Sequence, residues 1–137
     1  KVNLSLDVLW LPLNFLELIL ITFGVVLFLS ALFVEFRDIA HIWDVALQVL
    51  FYSMPIVYPL TMGIFIKMPI IAKLLLMNPL AQTIQDIRHN LISSTVPTLW
   101  GMTKWYFAII PVILAIAIFI FGAWFFRKRS RTFAEDL

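Results

Sequence analysis

No cysteine occurs in this chain, which excludes a disulfide framework and any thiolate metal site. Charge is scarce as well. Only 13% of the 137 residues are Asp, Glu, Lys or Arg, against roughly a quarter in an ordinary soluble domain. A formal net charge of +2 is too small to argue for nucleic acid as a partner. The four glycines form no phosphate-cradling loop of either nucleotide-binding type, so the chain is not expected to bind ATP itself. Lys1 stands where an initiator Met would be, and no basic stretch leads into a short apolar core. No cleavable signal peptide is expected, and the sequence reads as starting within a longer protein.

What fills the chain instead is apolar. Hydrophobic residues make up 63% of it, and a soluble fold this small leaves too much surface exposed to hide them. Lipid is the solvent that accepts such a surface. A helix needs about 20 mostly apolar residues to cross the roughly 30 Å hydrocarbon core, and three stretches qualify: 11–36, 42–60 and 105–126. The fold class expected is an all-α membrane protein with three transmembrane helices. Two short re-entrant or interfacial helices in the outer leaflet, 69–77 and 80–92, complete it.

Orientation follows from where Lys and Arg sit beside span ends. Arg127, Lys128, Arg129 and Arg131 crowd the end of the third span, which assigns residues 127–137 to a cytoplasmic tail. Counting back, the charged corner Glu35-Phe36-Arg37-Asp38 is cytoplasmic, and Lys1 and residues 61–103 lie outside. The ten basic residues divide evenly between the sides, so their density decides the matter. Tryptophans favour interfaces and agree with this layout: Trp43 and Trp124 at the inner level, Trp10, Trp100 and Trp105 at the outer. A fourth span over 60–80 would bury Lys67 and Lys73 at a cost of a few kcal/mol each. Asn78-Pro79 suits a helix start, with Asn as N-cap and Pro in the first turn.

Two spans carry polar stripes. On the second, His41, Asp44, Gln48, Tyr52 and Pro55 follow steps of three, four, four and three, which is one helical face. Two readings stand: contact between helices, or the lining of a translocation path. Pro55 and Pro59 should loosen the outer end of this helix, since each removes a backbone donor. On the first span, Asn14, Glu17, Ile21, Gly24, Phe28, Ala31 and Glu35 share a face, with Gly24 and Ala31 small enough for close helix approach. Glu17 is expected in interfacial water; a basic partner from the outer region is the other choice. The third span, with no polar stripe, is expected to face lipid over much of its surface.

Catalysis finds little to work with. His41 and Asp44 lack the further ligands that a metal site needs, His89 is isolated, and Ser93-Ser94 has no base at recognisable spacing. No catalytic or metal site is expected.

One further pattern runs the length of the chain. Phe36-Arg37-Asp38-Ile39, then Gln48, then Ser53-Met54-Pro55-Ile56-Val57-Tyr58 resembles the second half of a type-2 ABC exporter permease. The similarity is narrower with the branch that exports O-antigen, capsule or teichoic-acid chains on lipid carriers. In that branch an Arg-Asp corner enters the fifth span and a Pro-Ile-x-Tyr segment closes it. An Asn-Pro motif between two short outer helices follows, matched by Asn78-Pro79, and then an Arg, matched by Arg88. A basic tail with a Phe-Ala-acidic-acidic ending is matched by Phe133-Ala134-Glu135-Asp136. Family permeases have six spans and an N-terminal amphipathic helix, so the resemblance assigns this chain to spans four to six.

The resemblance implies a bacterial cytoplasmic (inner) membrane location and an exporter of two permease copies and two ABC ATPase subunits. ATP and Mg would sit on the ATPase, with no cofactor on this chain, and a lipid-linked polysaccharide or polyol phosphate would be the substrate. On this basis Gln48, Phe51, Tyr52 and Tyr58 are substrate-path candidates, because flat aromatic faces and hydroxyls suit sugar rings. Asn78, Pro79 and Arg88 are outer-gate candidates, Arg88 or Lys73 being suited to meet a phosphate. Arg37 and Asp38 form the cytoplasmic corner. A small-molecule or drug exporter of the wider group, or a membrane scaffold subunit in which polar stripes only lock helices together, is the alternative.

Overall fold

The computed structural model describes residues 6–36, 38–56, 58–60, 63–93 and 95–133. Among the described residues all regular structure is helical. A 3-10 turn, Leu6–Trp10, leads into α1 (Leu11–Glu35). Then come α2 (Ile39–Ser53), α3 (Gly63–Lys67), α4 (Pro69–Leu76) and α5 (Pro79–Leu91). Two single-turn helices, α6 (Leu99–Met102) and α7 (Trp105–Ala108), precede α8 (Ile110–Phe133).

Two stretches, Val8–Glu35 and Trp105–Ser130, are long and apolar enough to cross a membrane. The rest of the chain buries only 22% of the most apolar window of the first and 17% of that of the second. Their apolar side chains therefore point outward, with Phe23, Val26, Ile113 and Ile120 at least half exposed. The core helix of a soluble protein would instead bury these residues.

α1 and α8 pack side by side, and the expected stripe on α1 is the seam. Asn14, Glu17, Ile21, Gly24 and Ala31 are the buried residues of that helix. Gly24 meets the α8 backbone, where an added Cβ would fall 2.7 Å from Phe119 Cα, and Gly122 in turn sits against the Gly24 backbone. Phe28 packs on Phe121 and Phe125 with ring centroids 5.7 and 5.0 Å apart. Arg129 donates to Glu35 at 3.1 Å. Contacts advance along both helices together, so α1 and α8 run parallel. Small residues at the crossing let the backbones approach closely.

Parallel packing has a topological consequence, because the chain must return between the two helices. It leaves α1 at the Glu35 end and enters α8 at the other. Leu60, Ala72, Leu76, Leu99 and Ala108 form a buried cluster at that second end, so residues 39–60 make the return. α2 supplies 15 residues of it, about 22 Å at 1.5 Å each. The helix ends at Ser53, short of the expected 42–60. Met54 is extended at φ −90° and ψ 140°, the conformation that a following proline imposes, and Pro55 has no N–H to continue the ladder.

Other boundaries shift by less. α4 and α5 match the two expected short helices within a residue. α8 continues through the basic run to Phe133, so most of the expected tail is helical and not separate; residues 134–137 lie outside the described set. So does Arg37, while Asp38 is exposed and makes no side-chain cap at the start of α2.

Asn78 is the N-cap expected for α5. Its Oδ1 accepts from the Leu80 N–H at 3.0 Å, with Pro79 opening the helix. Asn78→Ala should cost about 1 kcal/mol of stability, read by unfolding in detergent. The Glu35–Arg129 pair should matter less, its side chains being 34% and 42% exposed. Glu35→Gln is expected to shift stability by under about 1 kcal/mol in the same assay, because exposed ion pairs gain little.

Candidate functional site

Two regions attract attention, a groove beside α2 and a polar layer around α5. Gln48, Phe51 and Tyr52 line an open, mostly apolar groove of about 690 Å³ between α1 and α2. Across it stand Ile21, Val25 and Leu29. Three of the four path candidates thus share one surface. Tyr58 does not line it: its hydroxyl donates to the Tyr52 carbonyl at 3.2 Å and its ring stacks on Phe65.

Four of the five residues of the polar stripe are exposed. α2 buries none of its residues, and His41, Asp44 and Gln48 are exposed. Tyr52 is 72% exposed. The half-buried positions, Ile39, Trp43, Ala46, Leu50 and Ser53 among them, form the opposite face. Pro55, the last member of the stripe, is by contrast fully buried. His41 and Asp44 gain no third ligand, and no group of three or more His, Asp or Glu comes together among the described residues.

The outer-gate candidates converge at the end of the bundle where α8 begins. Arg88 Nη1 donates to the Pro55 carbonyl at 2.9 Å, pinning the end of the α2 segment to α5. That is a structural role which the expectation of a phosphate partner did not include. Lys73 lines a second open groove, of about 600 Å³, together with Lys104, Leu74 and Tyr106.

α5 holds the largest difference from expectation. Although it is the most polar helix of the chain, it is buried: Gln82, Thr83, Gln85, Asp86 and Asn90 all lie inside. Its neighbours are α1, α4, α8 and the first 3-10 turn. Gln82 Nε2 lies 3.4 Å from Asp86 Oδ2 and donates to the Ala108 carbonyl at 3.2 Å. Trp100 Nε1 donates to the same Asp86 oxygen at 3.1 Å. His89 Nδ1 pairs with the Val96 carbonyl at 2.8 Å. Burial pushes the Asp86 carboxyl up to about 6, against the opposing pull of the Gln82 and Trp100 hydrogen bonds and of His89.

Glu17 of α1 belongs to this layer. It is 9% exposed, not resting in interfacial water, and the charged group close to it is the Asp86 carboxyl and not a basic side chain. Five buried polar atoms in the layer have no partner among the described residues: Asn14 Nδ2, Glu17 Oε1, Gln82 Oε1, Gln85 Oε1 and Asp86 Oδ1. A sequence signal for this existed. Asn14 and Glu17 stand one turn apart on the inward stripe of α1, and polar residues fall on more than one face of α5. A helix lying on a surface needs polar residues on one face only. No protein-family model, curated protein or solved structure matches the chain.

Proposed function

We propose that this chain is the C-terminal half of a permease subunit in an ATP-driven exporter of lipid-linked polysaccharide or polyol phosphate. It would cross the bacterial inner membrane three times, by α1, the segment 39–60 and α7–α8, with its C-terminus in the cytoplasm. The supporting observation is the arrangement at the two ends of the bundle. One end carries Glu35 against the basic run at Arg129. The other carries the α4–α5 helix pair, broken at Asn78-Pro79, where an exit would have to be gated.

The aromatic groove beside α2 suits the substrate side of such a machine. Phe51 and Tyr52 stand edge to face with centroids 5.6 Å apart, offering an aromatic surface that a second permease copy or a sugar chain would cover. The ATPase partner would bind ATP and Mg. A small-molecule exporter would use the same frame.

The test is export in the full-length protein with its ATPase. Tyr52→Ala removes an exposed ring that holds no part of the fold, so export should fall several-fold while protein level stays constant. Surface glycan appearing at the normal rate would remove the support for a substrate path. A reporter fused after Leu137 should read as cytosolic; on the far side, the layout fails.

A further inference from the structure

The groove at the end of the bundle where α8 begins differs in kind from the one beside α2. Lys73 and Lys104 line it, and among the described residues no Asp or Glu does. The groove beside α2 is lined by no charged residue of either sign. Neither lysine makes an ion pair or a hydrogen bond through its ammonium group among the described residues. Lys104 Nζ lies 5.8 Å from the centre of the Tyr106 ring, which lines the same groove. Lys73 is half-buried in the last turn of α4.

Apolar surface continues from the two cations. Ile70 and Leu74, also lining the groove, are 71% and 61% exposed. A wall of this kind is poorly suited to water, and two ammonium groups without counter-charge are poorly suited to hydrocarbon. Both are accommodated at the boundary of a bilayer, where a lysine stem lies in apolar surroundings and its head reaches the polar layer. The groove sits at that level. Tyr106, Phe107 and Ile110 line it from the first turns of the membrane-crossing stretch Trp105–Ser130. Trp105, exposed beside them, is a residue that favours the interface. At about 600 Å³ the groove falls within the range of ordinary ligand clefts.

We propose that this groove binds an anionic phospholipid, its phosphate against Lys73 and Lys104 and an acyl chain along Ile70, Leu74, Phe107 and Ile110. An ammonium group meets a phosphate as a point charge and needs no fixed geometry, which suits flexible side chains at the rim of a groove. A zwitterionic lipid carries its own cation and gains less from two more. The lipid would join α4 to the start of α8 as a resident part of the fold, not as cargo. The site needs only that Trp105–Ser130 crosses a membrane, so it stands or falls apart from the export reading.

The experiment uses the full-length protein in phosphatidylcholine vesicles doped with a lipid that carries a photoreactive group in its acyl chain. After illumination, peptide mapping should find the phosphatidylglycerol probe attached within residues 69–77 and 99–110. The same probe with a phosphatidylcholine headgroup should label these peptides about tenfold less. Lys73→Gln and Lys104→Gln should each lower phosphatidylglycerol labelling about fivefold, and together bring it to the phosphatidylcholine level. Lys128→Gln, at the opposite end of α8, should leave it unchanged. High salt should weaken phosphatidylglycerol labelling of the parent and spare phosphatidylcholine labelling, which tests the charge without any variant. Equal labelling of the parent by the two lipids overturns the proposal and leaves the groove to an acidic segment of another protein. Phosphatidylglycerol labelling that ignores salt, or that survives loss of both lysines, overturns it as well.

Discussion

Gly122→Leu should force α1 and α8 apart and cost about 3 kcal/mol or more of stability. The two glycines leave no room at this crossing. An added Cβ on Gly24 would lie 2.7 Å from Phe119 Cα and 2.8 Å from the Ile118 carbonyl group. Backbone stands on both sides, so no side chain can rotate away, and one helix must move. In an apolar solvent the helices gain little from hiding apolar surface, and close packing carries the association. Losing it would also release Phe28 from Phe121 and Phe125 and misalign Glu35 with Arg129. The other glycines give the control. A Cβ on Gly101 meets only Thr98 Oγ1 at 3.7 Å, and one on Gly63 meets nothing within 4 Å. Gly63→Ala should therefore stay within about 0.5 kcal/mol of the parent. Unfolding in detergent separates the two cases, and equal stability of Gly122→Leu and Gly63→Ala would disprove the seam.

Much of this seam was legible in the sequence. The spacing of Asn14, Glu17, Ile21, Gly24 and Ala31 on α1 names its buried face, because a helix repeats every 3.6 residues and the stripe follows that repeat. The start of α5 was legible too, since Asn78-Pro79 acts through local chemistry. Gly122 was not, because its meaning lies in a partner 98 positions away on α1. The same holds for Glu17. Its polarity suggests water when read alone, and only the burial of α5 beside it supplies another environment. Proline at 55 signalled a loosened end for α2, but not how abruptly the helix stops. The extended conformation at Met54 and the capture of the Pro55 carbonyl by Arg88 together fix that stop. Gln48, Phe51 and Tyr52, singled out by the stripe and the aromatics near it, line one groove. Tyr58 was grouped with them by sequence proximity, which says nothing about direction once the helix has ended.

Arg88→Met should lower stability by about 2 kcal/mol, the second large effect expected. The argument starts from the end of α2. A helix that stops leaves its last carbonyls without an intrahelical donor, and Pro55, just past the stop, is fully buried. Its carbonyl cannot turn to water, so the Arg88 guanidinium is the donor that satisfies it, at 2.9 Å from 33 residues away. Methionine keeps much of the side chain's length and packing but donates nothing, leaving a buried acceptor unpaired. Lysine can still donate, so Arg88→Lys should recover part of the loss. The Glu35–Arg129 pair has full charges on both sides and yet should be worth less, because solvent competes for it. Burial of the acceptor decides the ranking, not formal charge. If Arg88→Met and Glu35→Gln unfold at the same detergent strength, Arg88 does not hold α2 to α5.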